Sequence, residues 1–161
     1  MMVLMNRVEA VHRIQEARQA HTLWVGRARK LMSAPAMDKD LAPVLPTDCD
    51  FGNWYYGDGQ LLSFLSPFHK IEIAHDELHS IHTEIYRKLF KEPRHSFLLK
   101  YFRKSGEQTL ADKTEEAKQL LVRLEQASEE IISQTQSLEN EISELGDEDF
   151  DRCIVSGNSI V

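Results

Sequence analysis

His75 and His79 stand four residues apart in the run AHDELH (Ala74 to His79), inside a segment whose apolar residues recur every three or four positions. On a helix that spacing carries both imidazoles to one side, about 40° of arc apart, so one element can offer two nitrogens to a single metal ion. His21 falls on a second amphipathic stripe, one turn from Trp24 and Val25. Cys49 opens the stretch CDFGNWYYGDG, which crowds four aromatics and three glycines around a lone thiol. A soft thiolate with three imidazoles suits a tetrahedral Zn2+ site, with bonds of about 2.3 Å to sulfur and about 2.0–2.1 Å to nitrogen.

Each of these residues has a plainer role beside the chemical one. A histidine on an apolar stripe can be a packed, hydrogen-bonded core residue, since burying an imidazole requires partners for its ring nitrogens. A lone cysteine behaves as a small hydrophobe. His82 lies on the same stripe as His75 and three residues beyond His79, so periodicity leaves open which pair faces a metal. A carboxylate-bridged di-iron bundle needs acidic residues beside histidine on several inward faces. Glu72, Asp76 and Glu77 are available, but too few carboxylates fall inward elsewhere.

The elements that must position these groups are helical. From about residue 4 to 32, Leu4, Val8, Val11, Ile14, Trp24, Val25, Ala28 and Leu31 trace one stripe. Residues 33–48 hold Pro35, Pro43 and Pro46 and read as a loop. Gln60 to Leu65 reads as a short apolar helix. Ser66-Pro67 is an N-cap followed by proline at the first helical position, and Phe68, Ile71, His75, Leu78, His82, Ile85 and Leu89 then run to a stop at Glu92-Pro93. The most regular pattern is Ala117, Leu121, Leu124, Ser128, Ile131, Thr135, Leu138, Ile142 and Leu145, a heptad seam ended by Gly146. Strand patterns are nearly absent. The expected fold is all-α, an antiparallel four-helix bundle with a long heptad-patterned C-terminal helix. One domain is expected over residues 1–146, with a segment at 91–112 that interrupts the helical order and a mobile acidic and polar tail at 147–161.

Composition narrows the function. The 161 residues carry a formal charge of −7, which argues against nucleic acid as a partner, because phosphate recognition needs clustered Lys and Arg. No run approaches the roughly 18 apolar residues of a membrane span, and MMVLM is too short for a signal-peptide core. A cytoplasmic address is expected, where Cys49 and Cys153 are free thiols or ligands rather than a disulfide. No Gly-rich phosphate loop or Ser-His-Asp order occurs, so catalysis is not expected.

Three pieces together resemble the chemoreceptor zinc-binding (CZB) family: His21-Thr-Leu-Trp24, CDFGNWYY, and AHDELH. The resemblance implies a four-helix bundle that holds Zn2+ through three His and one Cys, with His21, Cys49, His75 and His79 at the matching positions. It covers roughly residues 11–87. The segment at 91–112 reads as an insertion relative to the family, and Ala74 stands where the family has proline. The resemblance also implies a sensory role, responding to zinc or to oxidants through the Cys49 thiolate and regulating a chemoreceptor or diguanylate cyclase partner. Homodimerisation through the heptad helix is a further expectation. A zinc-stabilised helical scaffold or dimerisation module, with no switching, is the alternative.

Overall fold

The structure is a computed structural model that describes residues 5–33, 42–90 and 110–157. Among these residues there are five α-helices and no strand: α1 (Arg7–Ser33), α2 (Asp50–Tyr56), α3 (Ser66–Phe90), α4 (Leu110–Glu144) and α5 (Asp147–Gly157). Short 3₁₀ turns at Pro46–Asp48 and Asp58–Leu62 flank α2. The expected all-α class is what forms. Residues 91–109, most of the expected insertion, lie outside the described residues, and 110–112 belong to α4.

Local chemistry sets the helix ends. Asn6 Oδ1 accepts the Glu9 N–H at 2.8 Å and so caps α1. Gly146 separates α4 from α5, whose first turn holds Asp147, Glu148 and Asp149 against the positive end of the helix.

Packing follows the stripes, with informative departures. On α3, Phe68, Ile71, His75, Leu78, His82 and Ile85 are all buried, and Leu89 packs at the edge. On α1, Ile14, His21, Trp24, Val25, Ala28 and Leu31 are buried, but Val8 is 71% exposed and Ala10 and Ala17 take the inward places. On α4 the seam is wider than the heptad reading, since Leu120 and Ala127 are buried while Leu121 is only half-buried. The reason is that α4 meets both α3 and α1, and two neighbours cover more of its circumference than one seam.

Contacts between the long helices run in opposite numerical order. Arg7 reaches Asp147, Arg18 reaches Gln136 and Glu139, and Arg29 reaches Glu125. Likewise Glu77 faces Arg123 and Lys88 faces Glu116. Apart from the largely buried Arg18–Glu139 pair, these are partly or well exposed and set alignment more than stability, since such pairs contribute only about 0–1 kcal/mol each.

The segment expected to be a mobile tail is corrected here. Residues 147–157 form α5, whose Phe150 and Ile154 are buried in the core, with the Phe64 ring 6.4 Å from Phe150. Two apolar residues at i and i+4 make a stripe one turn long, too short to stand out as a period, yet sufficient once a groove exists to receive it.

Candidate metal centre

Two elements converge on one buried cluster. The turn before α2 brings Cys49, and α3 brings His75 and His79. The donor atoms of these three residues all lie within 4.8 Å of one another. Cys49 Sγ is 3.3 Å from His75 Nε2. Ligands of a tetrahedral zinc sit about 3.5 Å apart when the bonds are about 2.3 and 2.0 Å, and the 3.3 Å sulfur–nitrogen spacing is compatible with such a site as well as with a hydrogen bond.

The stretch CDFGNWYY is a short helix rather than an open turn, and Cys49 is its N-cap. The Gly52 N–H donates to Cys49 Sγ at 3.2 Å, and the thiol faces the Pro46 carbonyl at 3.2 Å. Gly52 is required by proximity: a Cβ there would sit 1.8 Å from the Pro46 oxygen and 3.3 Å from the Cys49 sulfur. Gly→Ala within a helix ordinarily stabilises by about 0.5–1 kcal/mol. Here Gly52→Ala is expected to destabilise by about 3 kcal/mol, as overpacked cores do, and to lower metal content because the displaced turn carries Cys49. Urea unfolding and zinc analysis of the variant check both effects; a protein as stable and as zinc-rich as the parent refutes this account of the turn.

The aromatics fix the corner. Tyr55 stacks on Phe68 with ring centroids 4.4 Å apart, and its hydroxyl donates to the Phe68 carbonyl at 3.1 Å. Phe51 lies with its ring 5.0 Å from His75 and 5.5 Å from His21. Trp24 covers the other side, 4.7 Å from the His79 ring and 4.8 Å from His82, and its Nε1 donates to the Pro43 carbonyl at 3.2 Å. Tyr56, by contrast, is exposed.

The hydrogen bonds select which nitrogen is available. His79 Nδ1–H donates to the Val44 carbonyl at 2.9 Å, which leaves the Nε2 lone pair free; that atom is buried and has no hydrogen-bond partner among the described residues. An outer nitrogen held by a carbonyl and an inner one bare is the usual state of a metal-ligating histidine. His75 Nδ1 and both nitrogens of His82 are also buried without hydrogen-bond partners among the described residues. His82 thus occupies the stripe but makes no member of the cluster. The Ala42 backbone lies beside it without the alignment of a regular hydrogen bond.

Burial dominates the electrostatics. It lowers His75 to about 3 and His21 to about 4, with the neighbouring imidazoles adding to both shifts and the Ser128 contact opposing the second. It lowers His82 to about 4, against the Ala42 backbone, and moves His79 downward against its bond to Val44. Burial also pushes the Cys49 thiol up, the Gly52 N–H opposing and the Asp50 carboxylate adding. Neutral imidazoles are ready to donate, and a cation held there would supply the charge that keeps the sulfur as thiolate. The donor set therefore fits zinc.

Of the four residues marked by sequence, Cys49, His75 and His79 are brought together. His21 is buried beside them, with Nε2 hydrogen-bonded to Ser128 Oγ on α4 at 2.9 Å. On the heptad seam of α4, Ser128 reads from sequence as a small core residue and carries no signal of this contact.

A buried Cys-His-His cluster that could hold a metal ion thus lies between the helices. Residues 21–86 match the family model of the chemoreceptor zinc-binding domain, and the resemblance read from three short motifs is borne out over that stretch. No curated protein and no solved structure matches the chain.

Proposed function

We propose that this chain is a zinc-binding sensory or regulatory protein, not an enzyme, in which His21 joins Cys49, His75 and His79 to close the metal's coordination sphere. The observation that carries the reading is the buried convergence of Cys49, His75 and His79 donor atoms inside the family-matched segment. The reversed order of contacts along α1, α3 and α4 supports an antiparallel four-helix bundle around this site. Four protein ligands leave no position for an activated water, which is the arrangement of a site that holds rather than hydrolyses.

Cys49 is the ligand an oxidant can convert. A recess of about 140 Å³, lined by Trp24, Arg27, Pro43 and Asp48 among others, opens onto it. Attack of its thiolate on peroxide breaks the O–O bond, places one oxygen on sulfur and releases hydroxide, the sulfur giving up two electrons. The sulfenic acid is a poor ligand, so oxidation and zinc scarcity reach the same outcome. Output passes through a cytoplasmic partner of the chemoreceptor or diguanylate cyclase kind, with the chain acting as a homodimer. Among the described residues, no helix is long and apolar enough to cross a membrane.

The deep burial of Cys49, 3% exposed, favours a second reading in which the zinc is purely structural. Native mass spectrometry with and without dilute peroxide separates the two. The sensory reading expects one zinc per chain, a dimer mass, and zinc loss together with one added oxygen. Retained zinc after oxidant supports the scaffold, and a protein purified and zinc-treated yet metal-free sinks both.

A further inference from the structure

A polar pair sits where α1 crosses α4. His21 and Ser128 are 2% and 6% exposed, and their side chains meet at 2.9 Å. Ser128 stands between Leu124 and Ile131, both fully buried, where a hydroxyl is costly unless it is bonded. The His21 ring is its partner. Ser128 lies outside residues 21–86, so the matched segment does not contain it.

His21 is near the cluster but not within it. Its ring edges onto Phe51, which in turn contacts His75, yet neither of its nitrogens joins the group formed by Cys49, His75 and His79. The atom that α4 engages is Nε2.

We propose that Ser128 is a positioning residue that holds His21 toward α4 and away from the Cys49–His75–His79 cluster, so that ligation by His21 exchanges the Ser128 bond for the metal and reports occupancy to α4. The inference rests on the zinc reading above. No atom is transferred: one hydrogen bond opens, His21 turns inward as a neutral donor, and the Ser128 hydroxyl is left to find a carbonyl on its own helix, as Thr135 already does with Ile132. The buried α1–α4 seam thereby has two arrangements, and the metal favours one of them.

The test is titration of the metal-free full chain with zinc ion against a competing chelator, in the parent, Ser128→Ala, Ser128→Thr, His21→Ala and the His21→Ala/Ser128→Ala double variant. Ser128→Ala removes the competitor, and tightening of about five- to tenfold is expected, the weight of one buried neutral hydrogen bond. Ser128→Thr keeps the hydroxyl and should follow the parent. In the His21→Ala background the Ser128 change should have no effect. Amide exchange of α4 around residue 128 should rise on zinc addition to the parent and stay constant in His21→Ala. If Ser128→Ala binds zinc equally or more weakly, Ser128 is not a restraint, and weaker binding makes it an orienting partner of a ligand instead. A parent chain that binds no zinc removes the zinc reading itself, whereas a zinc-binding parent with an indifferent Ser128→Ala removes only this inference.

Discussion

Cys49→Ser is expected to lose zinc affinity by more than about a hundredfold while keeping its fold. The magnitude follows from the ligand's place in the cluster: removing even an outer-shell partner typically costs about 10- to 100-fold, and Cys49 supplies the soft donor itself. Its survival follows from the local role of the same side chain. Cys49 caps α2 by accepting the Gly52 N–H, and serine is a better N-cap than cysteine, so the helix retains its start. His79→Ala is a harsher change, since it removes the Nε2 donor and also the Nδ1 bond to Val44 that ties residues 42–48 to α3. Equilibrium zinc competition and circular dichroism on both variants check this. Full zinc content in both variants would falsify the cluster as the metal site.

The metal-free protein is expected to be acid-labile well above the usual carboxylate range. His21, His75 and His82 are depressed to about 4, 3 and 4 in the fold, mainly by burial, from about 6.5 in an unfolded chain. Depressed histidines mean that the unfolded state binds more protons below pH 6.5, so unfolding is favoured as pH falls. Their contribution to stability is complete above about pH 6.5 and is lost progressively on descent toward pH 3–4. At their ends the shifts correspond to roughly 3 kcal/mol each for His21 and His82 and roughly 5 kcal/mol for His75, but all three are lowered in part by neighbouring rings, so the loss is smaller than the sum. Against an ordinary stability of about 5–15 kcal/mol, that loss is enough to unfold a marginal domain. Urea denaturation of chelator-treated protein at pH 7 and pH 5 should show a drop of several kcal/mol, and equal values would mean that these imidazoles are not buried as described. Zinc-loaded protein should resist until protons displace the metal, so its midpoint lies at lower pH.

These results separate two kinds of information. The α3 stripe was legible because burial along one helix is a local period: each third or fourth residue faces the same side whatever lies opposite. His75 and His79 are brought to one side by the rise of a single helix, although the same period also admits His82. Cys49 was legible in another way, through a cluster of residue types around it that matched a family pattern. The dense aromatic and glycine content had a packing cause, since Phe51, Tyr55 and Gly52 lock the sulfur's corner between Pro46, Phe68 and His75. That α2 is a helix and Cys49 its cap was not legible, because seven residues with an internal glycine carry little helical signal. α5 escaped for a similar reason, having only Phe150 and Ile154 to mark its inner side.

By itself, then, the sequence determined the helical class and most of the inward faces of the long helices, which depend on periods, while Cys49, His75 and His79 were singled out together by the family pattern they match. Only the tertiary structure decided which nitrogen of His79 is free, that His82 is buried without joining the donors, and that His21 is held by a serine 107 positions away. Those outcomes depend on which helix lies opposite which, and a one-dimensional pattern states what a face buries without stating against whom.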